Sequence, residues 1–168
     1  MGQYRLIVSD LDGTLRAEGS PAFSPRVRAA VAEAQARGVR VVIATGRMFR
    51  SAEPFARGLG VTEPMICNQG ATIYDLTTRA MIYDQRVAPP VLREILEFAG
   101  SDVTPIACLD GEFYSERIPE QAAPLAAIYA REHFHQVANL AADLPRDPQK
   151  VMFVNDAAMT ERLHARLV

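Results

Sequence analysis

The chain has 168 residues, of which 49% are apolar and 23% charged, and a formal net charge of −2. It is long enough for one core, or for a core with a small appended unit, and its composition is that of a globular protein rather than a disordered one. A slightly acidic chain has no electrostatic basis for binding nucleic acid or an anionic membrane, either of which would favour a basic face.

The first predicted element is a short apolar strand from Arg5 to Ser9 that runs into the acidic loop Asp10-Leu11-Asp12-Gly13-Thr14. Ser24-Pro25 reads as an N-cap followed by proline at the first helical position. Val27, Ala30, Val31 and Ala34 then recur at helical spacing up to a stop at Gly38. Val39 to Ala44 is nearly continuous in β-branched residues, as expected of a strand covered on both faces in a parallel sheet, and it ends at Thr45-Gly46-Arg47. A second helix carries Met48, Ala52, Phe55, Ala56 and Leu59 on one face. A third strand, Pro64 to Cys67, runs into Asn68-Gln69-Gly70. Strand, helix, strand, helix, strand predicts a parallel sheet with right-handed crossovers.

Beyond residue 70 the pattern changes. Ala71 to Asp75 and Ala80 to Asp84 alternate around a polar turn, which predicts an antiparallel hairpin. Pro89-Pro90 opens a helix with Val91, Leu92, Ile95, Leu96 and Ala99 as its stripe. Val103 to Cys108 and Glu112 to Ser115 flank an Asp110-Gly111 turn and form a second hairpin. A helix around residues 120 to 131, a strand at Val151 to Val154 and a helix from about Ala157 complete the expected order. The boundary between the two units is placed near residues 80 to 86.

Cys67 and Cys108 lie far apart without metal-binding spacing and are read as free thiols. The N-terminus lacks a signal-peptide apolar region, and no window has the roughly 18 uninterrupted apolar residues of a membrane span. The expected compartment is therefore the cytoplasm. Lys150 is the single lysine, so any lysine-dependent mechanism has one candidate.

In an open parallel sheet, ligands bind outside the carboxyl ends of the strands, and all three such ends here carry polar groups. A phosphate ester would use them together. One carboxylate, Asp10, can attack phosphorus and form an aspartyl-phosphate, while Asp12 protonates the leaving oxygen and later deprotonates water. Gly13 frees the backbone to turn its N–H groups toward phosphoryl oxygens, and Thr45 adds a hydroxyl. Anionic carboxylates facing an anionic phosphate call for a hard divalent cation, magnesium first. Each residue has a purely structural alternative: an acidic capping turn for Asp10 and Asp12, a closed turn at Thr45-Gly46, a surface arginine at Arg47, and a turn-stabilising side chain at Asn68.

Val8-Ser9-Asp10-Leu11-Asp12-Gly13-Thr14-Leu15, Ala44-Thr45-Gly46-Arg47 and Asn68-Gln69-Gly70-Ala71 together resemble the haloacid dehalogenase superfamily, and within it the Cof-type sugar-phosphate phosphatases. The resemblance implies a Rossmann-like α/β core over residues 1–82 and an α/β cap of the C2 type over residues 83–168. It implies Asp10 as nucleophile and Asp12 as general acid/base. Leu11, Thr45, Gly46, Arg47 and Asn68 fall at phosphate- or substrate-binding positions. Magnesium would be held by the Asp10 side chain, the Asp12 carbonyl and a further acidic residue late in the chain.

The superfamily's later lysine and acidic-pair strand have no clear counterpart here. Lys150 precedes Val151 to Val154 and Asn155-Asp156, but no helix separates the lysine from the strand and one carboxylate follows it. The segment is read as a cap strand followed by a helix, with a degenerate metal motif as the alternative, and the C-terminal return of the core is expected to be missing. His133 and His135, flanking Phe134, are read as surface or packed residues. The expected function is magnesium-dependent hydrolysis of a small phosphorylated metabolite. The alternatives are a phosphotransferase using the same chemistry, a non-catalytic phosphate-binding fragment, or a receiver-like domain accepting phosphate on Asp10.

Overall fold

The computed structural model describes residues 4–17, 20–101, 103–117 and 133–167. The helix expected around residues 120 to 131 lies outside these. The chain divides into two compact units, Met1–Gln85 and Arg86–Val168.

In the first unit, β1 (Leu6–Ser9) pairs in parallel with β2 (Arg40–Ile43). A parallel bridge from Ala44 to Ile66 continues the sheet to β3 (Met65–Cys67). Helix α1 (Pro25–Ala36) starts where the sequence predicts: Ser24 is the N-cap, its hydroxyl oxygen accepts from Val27 N–H at 3.2 Å, and Pro25 follows. Helix α2 (Phe49–Gly58) buries Phe49, Ala52 and Ala56. Beyond β3, β4 (Thr72–Tyr74) and β5 (Met81–Asp84) form the expected antiparallel hairpin.

Both helices use one face of this sheet. Val31 of α1 and Phe49, Ala52 and Ala56 of α2 share a core with Val41, Ile43, Met65 and Cys67. Side chains alternate along a strand, and Val8 pairs with Val42. Leu6 and Val8 therefore point to the opposite face, where they are 48% and 52% exposed, and Ile7 on the helix side is still 42% exposed at this edge of the described sheet. The β-branched run had predicted burial on both faces; among the described residues only one is covered by helices. Among those residues β1 also pairs on one side only. An apolar, uncharged edge strand is a template for pairing with another chain. Val8→Lys, which puts a charge on that strand, should reduce concentration-dependent light scattering of the isolated chain. Scattering equal to that of the parent would show that β1 does not drive association.

The second unit holds a four-stranded sheet in the order β8-β7-β6-β9. Its strands are β6 (Pro105–Leu109), β7 (Glu112–Ser115), β8 (Phe134–Gln136) and β9 (Lys150–Phe153). The β6–β7 turn has positive φ at both Asp110 (51°) and Gly111 (91°), the geometry that Asp-Gly favours in a tight hairpin. Asp110 also receives Arg86 Nη2 at 2.6 Å, Gln149 Nε2 at 2.9 Å and Arg146 Nη1 at 3.2 Å. Burial alone would raise the Asp110 carboxyl, but these donors outweigh it and hold it below the usual range. Helix α3 (Pro89–Ala99) and helix α4 (Ala157–Leu167) bring Ala99 and Leu163 into one cluster with Val103.

Lys150 opens β9, opposite Cys108 of β6, so the lysine-bearing strand belongs to the second unit's sheet. Asp156 Oδ1 accepts from Met159 N–H at 2.7 Å, which makes it the cap of α4. Lys150 thus opens a strand that is followed by a helix, the order that the sequence predicts. β8, three residues long, was not expected as a strand; parallel pairing to β7 and the stacking of Phe134 on Phe113 at 4.6 Å define it.

Cys67 and Cys108 are both free and buried. Burial pushes each thiol up to about 12, with Lys150 pulling Cys108 back in part. The thiolate is the nucleophile in alkylation, so neither should react with iodoacetamide at neutral pH in the native protein. Both should react in denaturant, as peptide mass mapping would read. Labelling of either in the native state would contradict its burial.

Candidate active site

The parallel register puts Ser9 beside Ile43, and Ala44 N–H donates to Ser9 C=O at 2.9 Å. Asp10 thus leaves β1 next to the point where Thr45 leaves β2. Thr45 N–H donates to Ile66 C=O at 2.9 Å, which joins that point to β3 just before Asn68. Two further backbone bonds tie the loops: Asn68 N–H to Arg47 C=O at 2.9 Å and Gln69 N–H to Thr45 C=O at 3.2 Å. Main-chain hydrogen bonds thus tie the second and third loops to each other, and the strand register sets the first beside them.

The first loop is a tight reversal. Gly13 N–H donates to Arg16 C=O at 2.8 Å, and Arg16 N–H donates to Leu11 C=O at 3.0 Å. Gly13 adopts φ 78°, which an L side chain resists, so its place in the acidic loop is a backbone requirement. Leu11 is fully buried in the core while Asp10 and Asp12 on either side stay accessible. Only the Leu11 main chain could reach a phosphoryl group.

Asp10 is exposed, and its Oδ2 accepts from Thr14 Oγ1 at 3.4 Å. Asp12 is held differently. Arg47 grips it with Nε on Oδ2 at 2.5 Å and Nη2 on Oδ1 at 3.1 Å, the fork geometry that makes arginine–carboxylate pairs strong. Arg16 adds a second cation, its Nε 3.2 Å from Asp12 Oδ1. Both guanidiniums lie over the Phe55 ring, at 4.4 Å for Arg16 and 5.4 Å for Arg47.

Thr45 is buried, and its hydroxyl accepts from Arg47 N–H at 3.2 Å. At Gly46 a Cβ would come within 3.2 Å of Gln69 Nε2, so the Gln69 side chain packs directly over this glycine. Asn68 and Gln69 both have positive φ, 52° and 53°, a pair of left-handed non-glycine residues that costs energy and is typical of functional loops. Asn68 Nδ2 donates to Thr72 Oγ1 at 3.2 Å, while its buried Oδ1 makes no hydrogen bond.

The site thus joins Asp12, Arg47, Asn68 and Thr45 in one bonded network, with Asp10 beside it at the strand end. Arg16 was missed in sequence. Its only local signal is a position four residues after Asp12, and that spacing brings side chains together in a helix, not in a loop of unspecified shape.

The Asp10 carboxylate and the Asp12 carbonyl, the ligands that the resemblance leads one to expect, are oxygen donors of the kind a hard cation takes, and magnesium commonly takes one or two carboxylates together with water. Among the described residues no three His, Cys, Asp or Glu side chains converge as a metal cage. In the second unit, Glu112 is bonded by His133 Nδ1 at 3.1 Å and His135 Nε2 at 2.9 Å, a neighbour for the two histidines that the sequence did not indicate. No described helix is long and apolar enough to cross a membrane.

Residues 7–168 match the haloacid dehalogenase-like hydrolase family. The pyridoxal phosphate phosphatase YbhA of Escherichia coli is 33% identical over 78 residues, which are 46% of this chain and 28% of that protein. A Buchnera aphidicola protein with a provisional phosphatase name is 34% identical over 96 residues, 56% of this chain and 34% of its own length. The chain thus aligns with about a third of each of these relatives. The fold also matches a solved Thermotoga maritima protein with a TM-score of 0.74 and 26% identity, covering 98% of this chain and 61% of that one. A haloacid dehalogenase-like hydrolase from Bacteroides thetaiotaomicron gives a TM-score of 0.75 at 23% identity, covering 98% and 63%.

Proposed function

Because this chain belongs to the haloacid dehalogenase-like hydrolases, we propose that it carries the nucleophile-bearing part of a magnesium-dependent phosphatase acting on small phosphomonoesters. The observation that carries this reading is an exposed carboxylate, Asp10, at the carboxyl end of a parallel strand, beside a loop network that holds a second carboxylate together with the Arg47 guanidinium and the Thr45 hydroxyl. The phosphatase names of the curated relatives support the same class.

Asp10 Oδ attacks phosphorus in line with the ester oxygen, forming an aspartyl-phosphate as the P–O bond to the leaving group breaks. Asp12 delivers a proton to that oxygen, then removes one from the water that attacks the acyl-phosphate, and inorganic phosphate leaves with Asp10 regenerated. Thr45 Oγ1, the Leu11 and Gly13 main chain and the Arg47 guanidinium bind the phosphoryl oxygens, with Asn68 at the pocket side. The Asp10 side chain and Asp12 carbonyl would hold magnesium, which supplies charge neutralisation between carboxylate and phosphate. Residues 83–168 act as the cap that selects the ester, and a sugar phosphate or similar metabolite is the proposed substrate class.

The test is magnesium-dependent release of inorganic phosphate from phenyl phosphate, combined with borohydride reduction of the trapped acyl-phosphate. The expected product is homoserine at position 10, identified by peptide mass mapping. Phosphate release with the label elsewhere would remove Asp10 as nucleophile, and no release with no label would reject the catalytic reading.

A further inference from the structure

The two arginines on Asp12 are not equivalent. Arg47 is the more accessible, with its side chain 20% exposed, and takes both carboxylate oxygens. Arg16 is 6% exposed, its guanidinium packed on Phe55, whose ring is in turn fixed edge-on by Phe23 at 6.1 Å. Its backbone is locked as well, since Arg16 N–H and C=O both bond within the acidic loop. Yet Arg16 Nε, buried and 3.2 Å from Asp12 Oδ1, makes no hydrogen bond. The present pose satisfies Arg47 at the expense of Arg16. A buried donor without an acceptor is unfavourable, so a small rotation of Asp12 toward Arg16 regains part of what is lost when Arg47 leaves.

We infer that Arg16 is a positioning residue for Asp12: its buried guanidinium, backed by Phe55, keeps that carboxylate in place when a bound phosphoryl group draws Arg47 away. This rests on the phosphatase reading above, in which Arg47 is a phosphate ligand. Arg47 then serves as an exchangeable counter-ion, neutralised by Asp12 before substrate binds and by phosphate afterwards, and Arg16 is the fixed one. The two cations divide the work by burial. Arg47 is the less enclosed of the two, whereas Arg16, packed against core and loop, has Asp12 as its one anionic neighbour among the described residues.

The test needs no turnover. Nitrogen-15 resonances of the arginine Nε groups are followed while inorganic phosphate is added in the presence of magnesium, to the parent chain and to Arg16→Lys and Arg16→Met. The expected result is a shift of Arg47 Nε on binding, an increase in solvent-exchange protection of Arg16 Nε, and a sharp Asp12 carboxyl carbon signal throughout. In Arg16→Met the Asp12 signal should broaden once phosphate is bound, and Arg16→Lys, which keeps the buried charge, should restore it. Because the broadening appears only with phosphate bound, a purely structural role for Arg16 would not produce it. Binding with Arg47 still on Asp12, or with Arg16 Nε losing protection together with Arg47, overturns this proposal and leaves the phosphate site standing. No phosphate binding to the folded parent chain removes the phosphate site and this proposal with it.

Discussion

Asp10→Asn should lower magnesium-dependent phosphate-ester hydrolysis by at least about a thousandfold, the scale seen when a covalent nucleophile is removed. The substitution keeps the size and shape of the side chain but replaces a carboxylate that can bond to phosphorus with an amide that cannot. It also removes negative charge from the proposed cation site, so magnesium affinity should fall in parallel. Stability should hardly change, since Asp10 is exposed and its side-chain contact is the 3.4 Å bond from Thr14. Steady-state hydrolysis of phenyl phosphate and a urea melt, measured on the same preparation, separate the two effects. Activity within tenfold of the parent would mean that another group attacks phosphorus. The comparison with Asp12→Asn is informative because p-nitrophenolate needs little protonation to leave. If Asp12 is the acid, its loss should cost far more with an alkyl phosphate than with p-nitrophenyl phosphate.

Leu11→Ala should destabilise the first unit by about 2–5 kcal/mol, the range for truncating a fully buried leucine. Leu11 sits between the two carboxylates yet is wholly inside the core, packed in the cluster that includes Val41, Ile43 and Met65. It is the anchor that turns Asp10 and Asp12 outward. Its removal leaves a cavity directly beneath the acidic loop, and the carboxylates lose their fixed spacing as well as their support. The urea unfolding midpoint reads the first effect. Hydrolytic activity, measured well below that midpoint, reads the second, and it should fall with kcat more than with KM because positioning rather than binding is disturbed. A loss of stability below about 1 kcal/mol would place the burden of the loop on its backbone bonds instead.

Much of the site was legible because its signals are local. An apolar run ending in two carboxylates and a glycine is unfavourable unless the chain turns there, and Gly13 at φ 78° shows that it does. Ser24-Pro25 and Asp110-Gly111 announced a helix start and a hairpin turn through the backbone geometry those residues prefer, and both occur. The alternation of strands and helices carried the parallel β1–β2 pairing and the bridge to β3. What escaped was decided by partners distant in sequence or by neighbours with no propensity of their own. β8 exists because β7 offers a parallel edge and Phe113 offers a ring to stack on. The strand at Lys150 and the helix after it were expected, but their pairing with β6 and the capping of that helix by Asp156 depend on partners that the sequence does not name.

The amino-acid sequence by itself determined the chemistry available at the strand ends: Asp10, Asp12, Thr45 and Asn68 lie where a parallel sheet delivers its side chains, because backbone rules act over a few residues. Tertiary structure alone decided which charges answer each other. Arg47 reaches Asp12 across 35 residues, and Arg16, a surface residue type, is buried against Phe55. Burial raises the cost of an unpaired charge, and so the folded environment, not the spacing, selects the pairs.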